Sequence, residues 1–287
     1  MFKNKLLNTL ILAALSAPGL ALAEDAPASA NTFTSNVGLT SDYTFRGISQ
    51  NMRSLAVQGG FDYAHASGMY AGTWASNVSG NQYNNASLEW DLYGGYNGKV
   101  NDDLAYNAGV VSVIYPNANT AFDGSGKNYD TTEVQFGGTY LGVNVAYHYA
   151  LTNWFGISSE AGGFNPVVIS NGANTTTLTS DGQASGLSSK GSSYLEINYT
   201  YTFAGDAALL LHAGRQTVQN FGLLSYADYK IGLSKPLGGF TFAAAYTATN
   251  ATDNSLYHII GANAPMATKA DKDLRNGNFA LSLSRSF

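Results

Sequence analysis

Residues Ser193 to Phe203 read SYLEINYTYTF. Leu195, Ile197, Tyr199, Tyr201 and Phe203 share one parity, and Glu196, Asn198 and Thr200 share the other. A period of two is the pattern of an extended strand with one apolar and one polar face. About ten tilted residues of this kind cross the ~25 Å apolar band of an outer membrane. The stretch is read as one strand of a transmembrane β-barrel, apolar parity toward lipid and polar parity toward the lumen.

Working outward, the same alternation recurs. In 86–97, Leu88, Trp90, Leu92 and Tyr96 oppose Glu89, Asp91 and Tyr93. In 132–140, Val134, Phe136 and Tyr140 oppose Glu133, Gln135 and Thr139. In 143–151, Val143, Val145, Tyr147, Tyr149 and Leu151 oppose Asn144 and His148. In 226–236, Tyr229, Ile231 and Leu233 oppose Asp228, Lys230 and Ser234. Weaker versions lie at 34–46, 54–66, 69–77, 104–114, 207–216, 240–249 and 277–287, of which 69–77 does not declare its faces. The expectation is an all-β, up-and-down antiparallel barrel of twelve strands. Charge fixes the register, because a one-residue slip would turn Lys230 to lipid at a cost of ~2–4 kcal/mol near the midplane.

The gaps between segments alternate. Those at 67–68, 98–103, 141–142, 204–206 and 237–239 are short. Those at 47–53, 78–85, 115–131, 153–192, 217–225 and 250–276 are longer. Short periplasmic turns and long outer loops alternate in this way, which puts both chain ends in the periplasm. Loop 153–192, rich in Ser, Gly, Asn and Thr, is long enough to be functional or disordered.

Composition agrees. Charged residues are 11% of the 287, against ~25% for ordinary soluble domains. A soluble β-sandwich also alternates, but would expose more charge and fewer aromatics. There is no cysteine, hence no disulfide and no thiolate metal site. At the N-terminus, basic Met1 to Lys5, apolar Leu6 to Leu15, a Pro18-Gly19 break and Ala21-Leu22-Ala23 follow the order of a secretory signal peptide. The expected organisation is a signal peptide at 1–23, a periplasmic segment at 24–33 and the barrel at 34–287. Loss of Lys3 and Lys5 with the signal takes the net charge from −5 to −7, which argues against a nucleic-acid partner.

Ser41-Asp42-Tyr43-Thr44-Phe45-Arg46-Gly47-Ile48-Ser49-Gln50 resembles the N-terminal signature of the TorF porin-like family, also called Gcw_chp. Gly59 to Asn77 looks like its next block, and Glu89 to Tyr96, Tyr115-Pro116, Tyr194-Leu195-Glu196 and Asp228-Tyr229-Lys230 continue it. The resemblance runs from about residue 34 to the end and implies an outer-membrane channel. Loop 153–192 is longer than the family leads one to expect. The last segment, Phe279 to Phe287, resembles the C-terminal signal of outer-membrane barrels, with Phe287 read by the assembly machinery. Arg285 falls on the lipid parity there, close enough to the end to snorkel.

By parity, Asp42, Arg46, Asp62, Glu89, Asp91, Glu133, Glu196, Asp228 and Lys230 point inward, with His148 and His212. These are the candidate pore-lining residues. An acidic, water-filled pore would prefer cations. The competing reading is a salt-bridged, packed interior, and twelve strands lie between filled and open barrels. Inward Gly38, Gly60, Gly95, Gly137, Ser282 and Ser284 leave room for water.

Two weaker constellations carry little. His65-Ala66-Ser67-Gly68 faintly resembles the His-x-Ser-Asn-Gly segment of outer-membrane phospholipases, but lacks the Asn and sits at the periplasmic rim. Asp123, Asn128, Asp130 and Glu133 could gather oxygens for Ca²⁺, but their spacing does not match a helix–loop–helix site. No catalytic residue, metal site or cofactor is expected. The functional expectation is passive diffusion of small hydrophilic solutes, with membrane lipids outside. The alternative is a closed interaction barrel whose loop 153–192 binds a partner.

Overall fold

A computed structural model describes residues 30–120, 127–158, 167–171, 174–178, 186–252, 257–259 and 272–287. The signal peptide and most of the segment 24–33 lie outside these, as do 159–166, 172–173 and 179–185 of loop 153–192. Twelve long strands follow the expected segments. They are β1 (Asn31–Thr40), β2 (Ala56–His65), β3 (Met69–Asn77), β4 (Leu88–Lys99), β5 (Leu104–Ile114), β6 (Thr131–Tyr140), β7 (Val143–Ala150), β8 (Ser193–Thr202), β9 (Ala208–Thr217), β10 (Tyr226–Leu237), β11 (Phe240–Thr249) and β12 (Asn278–Ser286). Each pairs antiparallel with the next, and β1 closes the barrel by pairing with β12. Closure leaves no free sheet edge, the condition for a sheet to span a bilayer.

The expected parity holds. Phe61, Trp90, Phe136, Leu195, Ile231 and Phe279 are exposed on the outside, whereas Glu89, Asp91, Glu133, Asp228 and Lys230 are buried within. Strand β3, ambiguous in sequence, turns Tyr70 and Trp74 inward: Tyr70 lies beside lumenal Gly95 and Gly109, and Trp74 meets the buried Tyr43 ring edge-on at 5.4 Å. Aromatic pairs mark the short-turn rim, Phe33–Tyr63 and Tyr201–Phe203, each with centroids 5.0 Å apart. Rings at that level suit the membrane interface, where one end is apolar and the other wet. Arg285 does not simply extend to headgroups; its guanidinium lies over Phe240 and Phe287 at 5.3 and 5.0 Å. This closed twelve-stranded barrel with an apolar exterior is an outer-membrane barrel.

One expected strand divides. Segment 34–46 was expected to run straight to Arg46, but β1 ends at Thr40. There the Thr40 hydroxyl donates to the Asp42 carbonyl at 2.8 Å, and the Asp42 carboxylate accepts from Ser49 Oγ at 2.6 Å. Those local bonds offer the backbone a turn in place of the ladder. Asp42 and Arg46 are therefore loop residues, and the first long loop is 41–55.

Candidate functional site: a hairpin folded into the barrel mouth

Loop 41–55 turns into the lumen. Thr44–Phe45 and Ile48–Ser49 pair as a short hairpin whose tip is Arg46-Gly47. Both tip residues have positive φ, 45° and 82°. This is the two-residue turn that matches strand twist, and the barrel uses it again at Leu141-Gly142. Gly47 needs its bare Cα, since a Cβ would collide with the Thr249 and Asp228 side chains.

The tip carries Arg46 across the lumen. Its guanidinium donates to both Glu133 oxygens, at 3.0 and 2.5 Å, and to Gln216 Oε1 at 2.8 Å. It also lies 4.2 Å from the Tyr194 ring centroid. Arg46 is only 7% exposed and Glu133 5%. A planar fork on a carboxylate is the strong, geometrically specific form of ion pair. The hairpin base is held as firmly. Asn278 of β12 donates to Asp42 at 2.5 Å, Tyr43 donates to Glu89 at 2.5 Å, and Arg53 donates to the carbonyls of Asp273 and Asn276. Burial holds the Asp42 carboxyl above its ordinary range, opposed by the bonds from Ser49 and Asn278.

Below the tip, five consecutive strands each supply one member of an alternating belt. Glu133 (β6), His148 (β7), Glu196 (β8), His212 (β9) and Asp228 (β10) follow at 3.8, 3.0, 3.6 and 2.8 Å. Tyr194 donates to Asp228 at 2.9 Å, and Lys230 faces His212 in register. Glu89 accepts from both Tyr43 and Tyr115 at 2.5 Å. Asp91 is 1% exposed, and its Oδ1 has no hydrogen-bond partner among the described residues. Asp62 sits lower and accepts from Tyr93 at 2.6 Å. The structure thus gathers Arg46, Glu133, Glu196, Asp228 and Lys230 into one network, leaves Glu89 and Asp91 as a second group on β4, and keeps Asp62 apart.

Above the tip, the long loops pack onto the hairpin. Tyr83 stacks on Tyr115 at 4.5 Å, Trp154 meets Phe155 edge-on at 4.9 Å, and Phe45 meets Phe155 at 5.8 Å. Between hairpin and loops remains a cavity of about 50 Å³. Burial pushes the lining Tyr129 hydroxyl up to about 12 and Tyr83 and Tyr257 higher still, so these rings stay neutral. Inward side chains nearest the hairpin, such as Thr40, Ser76, Thr131 and Gln216, are buried. Those toward the short turns, such as Asn36, Tyr70, Asn107, Gln135, Asn144 and Ser282, are only half-buried. The lumen is therefore sealed at the long-loop end and solvated at the other.

Tyr43, Tyr194, Gln216 and the aromatic cap were not singled out from sequence. The available signal was Phe45-Arg46-Gly47-Ile48, a glycine turn between apolar residues. Asp130 Oδ1 accepts the Tyr115 amide at 2.9 Å and Glu133 is held by Arg46, so both already have partners; Asp123 lies outside the described residues. His65 Nδ1 meets Ser67 Oγ at 2.8 Å and accepts the Ser67 amide, a local turn at the short-turn rim.

Fold and site together define an outer-membrane β-barrel whose mouth is closed by its own first loop. The chain belongs to the Gcw_chp family, described as bacterial proteins of unknown function, whose profile matches residues 24–287. The barrel is similar to the KdgM porin, with 10% identity, a TM-score of 0.48, and coverage of 88% of this chain and 99% of that one. It is similar also to KdgM in complex with disordered oligogalacturonate, at 9% identity, TM-score 0.48 and coverage of 89% and 99%. Pseudomonas aeruginosa OprD is a further similar structure, at 11% identity, TM-score 0.35 and coverage of 82% and 61%. No curated protein matches the sequence.

Proposed function

We propose that the protein is a gated, porin-like channel for small hydrophilic solutes. The observation that supports this is the gradient of burial along the lumen. A barrel whose interior served only as packing would be filled at both ends. Here the lower lumen is lined by half-buried Asn, Gln, Ser and Tyr side chains, and a short hairpin closes the top. The long-loop end faces outward and the short turns face the periplasm. Lipids surround the apolar exterior, and β12 is the strand offered to the assembly machinery.

With the hairpin withdrawn, Asp62, Glu89, Asp91, Glu133, Glu196, Asp228 and Lys230 line the pore, while Asp42 and Arg46 leave with the hairpin. Acids then outnumber strong bases on the wall, and the open state prefers cations. Planar-bilayer recording of the refolded full barrel tests the reading. Wild type should conduct rarely, and Arg46→Ala should conduct steadily with cation preference. A silent Arg46→Ala barrel that has refolded would instead support a closed interaction barrel. That second reading draws on Trp154 and Phe155, the described start of loop 153–192, which are built into the seal.

A further inference from the structure

The cavity above the hairpin has features that the gate alone does not require. It lies between the hairpin, through Phe45, Ile48 and Gln50, and the outer loops, through Tyr83, Tyr129 and Phe155. Two more lining side chains, Gln82 and Trp154, each carry a buried polar atom with no hydrogen-bond partner among the described residues: Gln82 Oε1, an acceptor, and Trp154 Nε1, a donor. Leaving such a group unpaired is costly, and a fold rarely sustains it without a use for it. Among the described lining residues none is charged.

A hydroxyl can satisfy either orphan, because it accepts from an N–H and donates to a carbonyl oxygen. Aromatic faces suit the C–H surface of a ring, and the absence of charge disfavours an ionic ligand, which would be desolvated without a counter-charge. We propose that this cavity is the outer recognition site for a neutral, polyhydroxylated ring such as a sugar. The proposal rests on the gated-channel reading for its coupling to opening, though not for the binding itself. At about 50 Å³, against the ~150 Å³ of a cavity that takes benzene, the cavity has no room for a sugar ring as it stands. A ring can enter only as the hairpin withdraws. Ligand binding and gate opening are then linked, and whatever weakens the Arg46 latch must tighten the ligand.

Maltose is the test probe, with sodium glucuronate as the charged comparison, read by calorimetry on refolded full-length barrels whose folding is checked by heat-modifiable gel migration. Maltose should bind Arg46→Ala at least several-fold more tightly than wild type. Adding Trp154→Phe, which keeps an aromatic face and removes the donor, should weaken that binding about tenfold, as should adding Gln82→Leu. Glucuronate should bind more weakly than maltose. Maltose heats unaffected by both substitutions, or glucuronate binding as well as maltose, would overturn the proposal, as would no saturable binding to folded Arg46→Ala. Because calorimetry needs no current, a silent bilayer with intact maltose binding would reject the channel and keep the site. Current without maltose binding would do the reverse.

Discussion

Arg46 occupies the first central position of a turn that favours Asn or Gly there, at a φ of 45°. Such a conformation costs a non-glycine residue of order 1–3 kcal/mol and persists only where its surroundings hold it. What holds it is the buried fork onto Glu133, with Gln216 and the Tyr194 face completing the shell. Removing one partner of such a pair strands the other charge, at about 3–5 kcal/mol. Arg46→Ala and Glu133→Gln should therefore each release the hairpin. The double variant should cost clearly less than the two losses added, measured by urea unfolding in a double-mutant cycle. Additive losses would mean the two groups act separately. Asp42 predicts a pH effect of its own. Its carboxyl is held above the ordinary value of 3.8, so the folded state binds the proton more tightly than the unfolded chain. Stability should rise as pH falls through the folded-state value and level off below 3.8, and Asp42→Asn should remove that increment. Equal pH profiles for wild type and variant would contradict it.

At the scale of elements, the strands were legible and the hairpin was not, for a physical reason. A lipid-facing strand must be apolar at every second position, so β8 and β10 announce themselves and their neighbours follow from loop lengths. A lumen-filling hairpin obeys no such rule, because its partners come from strands that are distant in sequence. Thr40, Asp42 and Arg46 even continue the β1 parity, which is why a strand to Arg46 was the natural reading. It reached the correct side of the wall for Arg46 by the wrong backbone. That Asp91, Trp154 and Gln82 each keep a polar atom unpaired among the described residues was illegible too, since missing partners become visible only after folding. The hairpin makes its own prediction through Gly47. A β-branched residue there meets a positive φ and the side chains of Thr249 and Asp228. Gly47→Val should expel the tip while leaving the barrel closed. Trypsin should then cut after Arg46 in the folded variant and spare wild type; equal resistance would show that the tip stays seated.

On the scale of the whole molecule, two solvents act on one wall, and adjacent residues of β10 show the contrast. Lys230 points inward, 8% exposed, toward His212 and the acidic belt. Ile231, its neighbour, points outward near the middle of the strand, between Leu211 and Tyr246 in register. In lipid, nothing solvates an ammonium at that depth, and a lysine there costs ~2–4 kcal/mol. In the lumen the same ammonium has acids and water within reach. Ile231→Lys should thus lower barrel stability in vesicles by about that amount. Ile231→Val, which keeps the apolar face, should cost no more than ~1.5 kcal/mol. The difference should shrink toward the headgroups, so Phe242→Lys, near the short-turn rim and paired with Lys235, should be milder than Ile231→Lys. Urea unfolding in vesicles reads all three. If Ile231→Lys and Phe242→Lys cost the same, the outer face does not span a bilayer in the register described, and the assignment of its two sides fails with it.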